Sequence, residues 1–194
     1  MSGVFNPASS QPEKLTMTSV RSCPIPSGSL LSRYQKSGYY SDCYSASIPA
    51  TISFEQFVQA FYSTRLFRLE RFILKWAISR PSTDSQLERL ASGEDNQFAA
   101  WLVEEKSKNQ LLLSDYRGRT RSWLMTAPCK TQTNNHTMLF FGSAIVPVTD
   151  RNTGKQRLGL IYKALLGFHK LYSVALLSAA RTSLIKKNKK NSSD

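Results

Sequence analysis

The chain has 194 residues, of which 41% are hydrophobic, and a formal charge of +13. That length suits one domain with tails and is enough to bury a good core without covalent staples. Three cysteines, Cys23, Cys43 and Cys129, are odd in number and widely spaced with no CxxC, which argues against a disulfide framework or a zinc site and fits a reducing cytoplasm. The positive charge is spread: residues 1–37 carry +3, residues 186–194 carry +3, and the middle carries +7. Such a balance favours anionic partners without choosing among nucleic acid, phospholipid head groups and acidic metabolites. No nucleic-acid-binding motif accompanies it, so nucleic acid is not the expected partner. The first residues lack a basic start followed by an apolar run, and a cytoplasmic location is expected.

Residues 1–36 are rich in Ser and Pro and poor in apolar side chains. They read as a mobile arm in which only Leu30 and Leu31 dock locally. Tyr39 to Ile48 alternates in the manner of a strand and is closed by Pro49. Ser53 is a candidate N-cap with Gln56 three residues on, and Ile52 and Phe57 have the spacing of a hydrophobic staple. The helix that follows presents Phe54, Phe57, Val58 and Phe61. A second helical stretch, about 65–78, has an apolar face of Leu66, Leu69, Phe72, Ile73 and Trp76. Arg65, Arg68, Arg71 and Lys75 give it a basic face, and Pro81 stops it. Thr83 with Gln86 opens a short third helix that Gly93 ends.

From Gln97 the period changes to that of strands. Phe98–Glu105, Gln110–Tyr116, Arg119–Ala127 and Thr137–Val148 read as four strands, joined by short turns and by a polar loop over Pro128–His136. Along the third, Arg119, Arg121, Trp123 and Met125 fall on one side, and Thr120, Ser122, Leu124 and Thr126 on the other. Asp150-Arg151-Asn152-Thr153-Gly154 is turn chemistry. It leads into a long helix over Gln156–Lys187. Leu160, Ile161, Ala164, Leu165, Phe168, Leu171, Tyr172, Ala175 and Ala179 form its wide apolar face, with Lys163, Lys170 and Arg181 opposite. Lys163, His169 and Lys170 interrupt it too often for a membrane span. The simplest packing is α+β: a curved antiparallel sheet wrapped around the last helix, with a cavity between them.

This order resembles the helix-grip fold of the START-like (SRPBCC) superfamily, most closely a bacterial branch of uncharacterised proteins. The stretches that carry the resemblance are Phe57–Thr64, Leu66–Arg71, Asp115–Leu124 and Leu165–Tyr172. It covers about 38–185, which makes residues 37–186 the START-like domain and 187–194 a basic tail. Members of the superfamily typically hold apolar or amphipathic small molecules in the central cavity, and a few catalyse reactions there. The resemblance implies no shared catalytic motif, so it speaks for fold before activity.

Asp115 to Trp123 is the most unusual local sequence. Asp115 is within reach of Arg119 or Arg121 across a hairpin. Such a pair either fixes the hairpin or leaves arginines to receive a ligand carboxylate or phosphate, with Trp101 and Trp123 lining the apolar part. His169 on the long helix projects toward the mouth of such a cavity. As an acid or base it would need a positioned partner. His136 falls in the polar loop and is expected to be solvated. Glu104 and Glu105 are strand neighbours on opposite faces, and Cys43 reads as a small apolar residue. No GxSxG, GxGxxG or P-loop occurs, so no cofactor is expected. The leading expectation is a binding protein for an apolar or amphipathic molecule. The alternatives are a cyclase- or dehydratase-like enzyme using Asp115 or His169, and a peripheral module whose basic helix face and Lys186–Lys190 tail contact an anionic membrane surface or nucleic acid.

Overall fold

The computed structural model describes residues 20–67, 84–92, 94–98, 101–130, 135–149, 156–157 and 160–191. Along the last helix, side chains are described from His169 to Lys190. The predicted second helix beyond Phe67, the Thr83 cap, the Gly93 stop and the turn over 150–154 lie outside the described residues.

The fold is α+β, a curved antiparallel sheet gripping a long C-terminal helix. Its strands are β1 (Arg21–Ser22), β2 (Ser41–Ile48), β3 (Gln97–Phe98), β4 (Trp101–Ser107), β5 (Gln110–Asp115), β6 (Thr120–Lys130) and β7 (Asn135–Ile145). They pair in the order β1-β2-β7-β6-β5-β4-β3. A small separate ribbon joins β8 (Val148–Thr149) to β9 (Gln156–Arg157). The helices are α1 (Ser32–Lys36), α2 (Phe54–Tyr62), α3 (Asp84–Ser92) and α4 (Leu160–Asn191).

The start of α2 is as its sequence dictates. Gln56 N–H donates to Ser53 Oγ at 3.1 Å and Ser53 N–H to Gln56 Oε1 at 2.9 Å, closing a reciprocal capping box. Ile52 and Phe57, the staple pair, are both buried. Phe57, Val58, Phe61 and Tyr62 then enter the main core beside Leu111, Leu113, Leu124, Leu139 and Phe141 of the sheet.

The long helix begins four residues later than its periodicity predicts, because Gln156 and Arg157 pair with β8. Its buried side is also turned. Leu171 is 73% exposed, whereas Leu176, Leu177, Ala180 and Leu184 are buried. Leu177 falls on the predicted polar side, yet it is enclosed because this half of α4 runs between α2 and β2. Arg181, also assigned to that side, donates from Nε to Ser47 O of β2 at 2.8 Å.

The largest departure concerns the predicted mobile arm, of which residues 1–19 lie outside the described residues. Val20–Lys36 is an outer layer on the sheet. β1 pairs with β2, and α1 follows. Leu31 is wholly buried and forms a second core with Tyr34, Cys43, Leu112, Trp123, Met125 and Ala144. Few apolar residues suffice because each meets a face that is itself apolar; a buried leucine contributes about 2–3 kcal/mol. Gly142 makes the approach possible. A Cβ there would sit 2.6 Å from Leu31 Cδ2 and 2.8 Å from the Asp42 carbonyl oxygen.

Three strand boundaries also move. The first predicted strand starts at Ser41. The stretch read as one strand from Phe98 is divided into β3 and β4. The polar loop shrinks, because β6 runs through Pro128 to Lys130 and β7 begins at Asn135. Thr126 N–H donates to Asn109 O, just before β5 starts, at 3.1 Å. Two residues on, Pro128 turns its nitrogen to the same side, past the start of β5, where a missing N–H costs no ladder bond. His136 is therefore buried on β7, with Nδ1 3.5 Å from Ser47 Oγ, and is not solvated.

The outer layer supplies a prediction. Leu31→Ala lowers the unfolding free energy by about 2–4 kcal/mol, and Gly142→Ala by about 1–3 kcal/mol, in urea titrations followed by circular dichroism. A freely mobile arm would leave Leu31→Ala at wild-type stability, whereas Gly142→Ala would still meet the Asp42 carbonyl oxygen on β2.

Candidate functional site

Between the inner face of the sheet and α4 lies a cavity of about 300 Å³. The cross-strand register explains it. Ser122 pairs with Ser143, and Ser143 with Asp42, all on the inner face. Two positions along, Leu124 pairs with Phe141 and fills the same layer. Small serines opposite each other near the ends of two adjacent strands leave volume that leucine and phenylalanine occupy further along. Phe61, Phe67, Phe141, Tyr172 and Leu176 wall the apolar side, while Thr120, Ser122, Ser143 and His169 edge the polar side.

The polar side is anchored by Asp42, whose side chain is 11% exposed. Ser143 Oγ donates to Asp42 Oδ1 at 2.6 Å. His169 Nε2 lies 2.7 Å from Ser143 Oγ and 3.5 Å from Asp42 Oδ2. The one hydroxyl proton goes to the carboxylate, so Nε2 carries a hydrogen and donates it to Ser143. Tyr40 OH adds a bond to Asp42 Oδ2 at 3.3 Å. Burial pushes the Asp42 carboxyl up, but the hydrogen bonds from His169 and Ser143 outweigh it and hold the group below its ordinary value. The same burial, with Asp42 close by, pushes the Tyr44 hydroxyl up to about 12.

This is not the arrangement of an acyl-transfer triad. There the serine gives its proton to histidine; here Ser143 gives it to Asp42. What the cluster offers is a fixed set of polar groups at one end of an apolar hollow. Trp101 contributes at the wall as well. Its ring lines the cavity, and its buried Nε1 has no acceptor among the described residues.

Of the six residues singled out from the sequence, Trp101, Asp115 and His169 line the cavity. Among the described residues, Asp115 pairs with no arginine side chain. Its Oδ1 accepts the backbone N–H groups of Arg119 at 2.6 Å and Thr120 at 3.1 Å, fastening the hairpin turn that Gly118 makes at φ +66°. Arg119 is exposed and stands apart from the cavity wall. Trp123 is fully buried on the opposite face, its Nε1 bonded to Gln110 Oε1 at 3.0 Å. Arg121 borders the cavity, but its guanidinium lies on the outer side, held by Tyr34 Oη at 2.8 Å and Glu104 at 2.5 Å. The alternation was read correctly along β6, and the other side of the strand is the one that faces the hollow.

The outer side also gathers Glu104 and Glu105, which alternation places on opposite faces. A register shift between Val103 and Glu105 breaks the alternation. Glu104 binds Tyr34 and Arg121 while Glu105 binds Arg33. Ser122, Ser143 and Asp42 carried no motif, and the signal that finds them is their shared register.

Lys186, Lys187, Lys189 and Lys190 are exposed on the last turns of α4. Arg68, Arg71 and Lys75 lie outside the described residues. None of the described helices is long and apolar enough to cross a membrane. Known protein families, curated proteins and solved structures offer no match to this chain.

The Asp42 cluster predicts a pH dependence. Its carboxyl titrates lower in the folded chain than its ordinary 3.8. The stabilisation is therefore complete above the unfolded value and is lost as pH falls through the folded one. Asp42→Asn should cost about 1–3 kcal/mol at pH 7. It should also flatten the loss of stability between about pH 5 and 2, as measured by urea unfolding at stepped pH.

Proposed function

We propose that this chain is a small-molecule-binding protein of the helix-grip kind, as its resemblance to the START-like superfamily implies. The observation that carries the reading is the hollow of about 300 Å³, apolar on one wall and edged by the Ser143–His169–Asp42 cluster on the other. That volume is at the small end of ligand cavities, ~300–1,000 Å³. It favours a compact molecule over a long-chain lipid.

The chemistry of the wall narrows the ligand further. Arg121 spends its guanidinium on Glu104 and Tyr34, and Arg119 is outside. Asp115 and Asp42 bring negative charge to the polar end. An anionic ligand is thus disfavoured, and a neutral molecule with a hydroxyl or carbonyl group fits. Its polar group would meet the Ser122 and Ser143 hydroxyls that edge the hollow. The apolar body would stack among Phe61, Phe141 and Tyr172.

An enzymatic role for Asp115 or His169 has less support. Asp115 Oδ1 is engaged by two turn amides, and His169 Nε2 by Ser143 and Asp42. A general acid or base must present its proton-exchanging atom to the substrate, and both of these atoms are turned to partners within the protein.

Native mass spectrometry of freshly purified protein is expected to show a bound small molecule. The neutral fluorophore N-phenyl-1-naphthylamine should bind the emptied protein. Leu176→Trp fills the hollow and should weaken that binding at least about tenfold, a loss of ~1.4 kcal/mol. Its unfolding midpoint, measured in parallel, separates a filled cavity from a disrupted fold. Wild-type protein that carries no adduct and binds no probe would sink the proposal.

A further inference from the structure

The outer layer holds a pair of thiols that serves neither the cavity nor the core alone. The β1–β2 register runs Arg21 to Ser45 and Ser22 to Tyr44. One step further it sets Cys23 against Cys43, and Cys23 N–H donates to Cys43 O at 3.0 Å. Their sulfurs are 3.4 Å apart, and both thiols are free. Directly opposed, hydrogen-bonded residues of an antiparallel pair have Cα atoms about 5.5 Å apart, inside the ~4.4–6.8 Å that a disulfide spans. With the sulfurs already 3.4 Å apart, closing them to about 2.05 Å takes side-chain rotation and a small approach of the two strands.

We propose that Cys23 and Cys43 form a reversible redox latch, a cross-strand disulfide that fastens the N-terminal outer layer to the sheet. The two thiols are unequal in a way that suits the reaction. Cys23 is partly exposed, and Cys43 is buried. The hydrogen bond from Cys43 pulls the Cys23 thiol down to about 7 against its burial, with Ser45 helping. That same bond, followed by burial, pushes Cys43 up. At neutral pH the accessible sulfur is therefore the one with thiolate character, which is the attacking species in exchange.

The oxidant is a small-molecule disulfide, RSSR. The Cys23 thiolate attacks one of its sulfurs, forming Cys23–S–S–R and releasing RS⁻. With Cys23 no longer anionic, Cys43 loses its proton to solvent and attacks the Cys23 sulfur, expelling the second RS⁻. The two protein thiols give up two electrons, and RSSR becomes two thiols. The bond closes a short loop between partners 20 residues apart in sequence. It keeps Leu31 and Tyr34 on the sheet by removing conformations from the unfolded chain.

The test equilibrates the full chain in buffers of oxidised and reduced glutathione, alkylates free thiols and maps peptides by mass spectrometry. The expected product is a Cys23–Cys43 cross-linked peptide, 2 Da lighter than the two reduced peptides, with Cys129 alkylated. In the reduced protein at pH 7, Cys23 should alkylate about tenfold faster than Cys129. The oxidised form should melt roughly 5–10 °C higher than the reduced form. That shift should vanish in Cys23→Ser. A glutathione adduct on Cys23 that never resolves onto Cys43, or a bond to Cys129 in its place, would overturn the proposal. Both outcomes are read on the wild-type chain and do not depend on the variant's folding.

Discussion

A strand that carries leucine on both faces is stable only where both faces are covered. Leu111, Leu112 and Leu113 on β5 impose that condition at the centre of this fold, and all three are buried. Leu111 and Leu113 look inward to α2 and the main core, and Leu112 looks outward to Leu31 and Trp123. The long helix meets only the inner demand. The outer demand is met by the segment before β2, which is why a stretch of Ser and Pro with few apolar residues is nonetheless held. Gly142, on the outer face of β7, concedes the space that lets Leu31 close the layer.

With the outer face sealed by close packing, the inner face can depart from it. Ser122 and Ser143 stand opposite each other where the flanking layer has Leu124 and Phe141. Two small hydroxyl side chains leave a hollow, and one of them, Ser143, also donates to a carboxylate that the fold brings out of water. Asp42 keeps its charge there because Ser143, His169 and Tyr40 supply donors. Without them a carboxylate so enclosed would take up a proton. The cavity and its polar edge thus have one origin, a row of small polar residues on adjacent strands.

Much of the architecture was legible in the chain. The capping box at Ser53 and Gln56, the change of period at Gln97, the meander and the long final helix all follow from local pattern. What escaped depends on partners distant in sequence. Leu31 reads as a residue that docks locally, and its place at the heart of a second core shows only when Gly142 and Trp123 are opposite it. Glu104 and Glu105 obey alternation until a bulge brings both to the outer layer. At the site, alternation separated Arg121 and Trp123 from Thr120 and Ser122 correctly. The charged and aromatic side looked like chemistry, and it proved to be packing. The pattern could not say which side faced the helix, because both sides of this sheet are buried. Leu177, an apolar interruption of the polar side of the last helix, is buried for the same reason: a helix enclosed on two sides has no single apolar stripe.

The outer layer and the cavity are mechanically joined at one strand. Tyr34 and Arg121 grip Glu104 on β4 from outside, and Trp101, three residues earlier on that strand, forms part of the inner wall. β4 lies near the sheet's end, next to the two-residue β3, so its pairing on that side is short. A strand so placed depends on its face contacts to keep position. Whatever strengthens the hold of residues 20–36 on the sheet therefore also fixes the indole that borders the hollow. A disulfide between Cys23 and Cys43 acts at the opposite end of that layer, on β2, the strand that carries Asp42. Oxidation there would secure both walls of the site, through Tyr34 on one side and through the Asp42 strand on the other, without a new contact to any ligand.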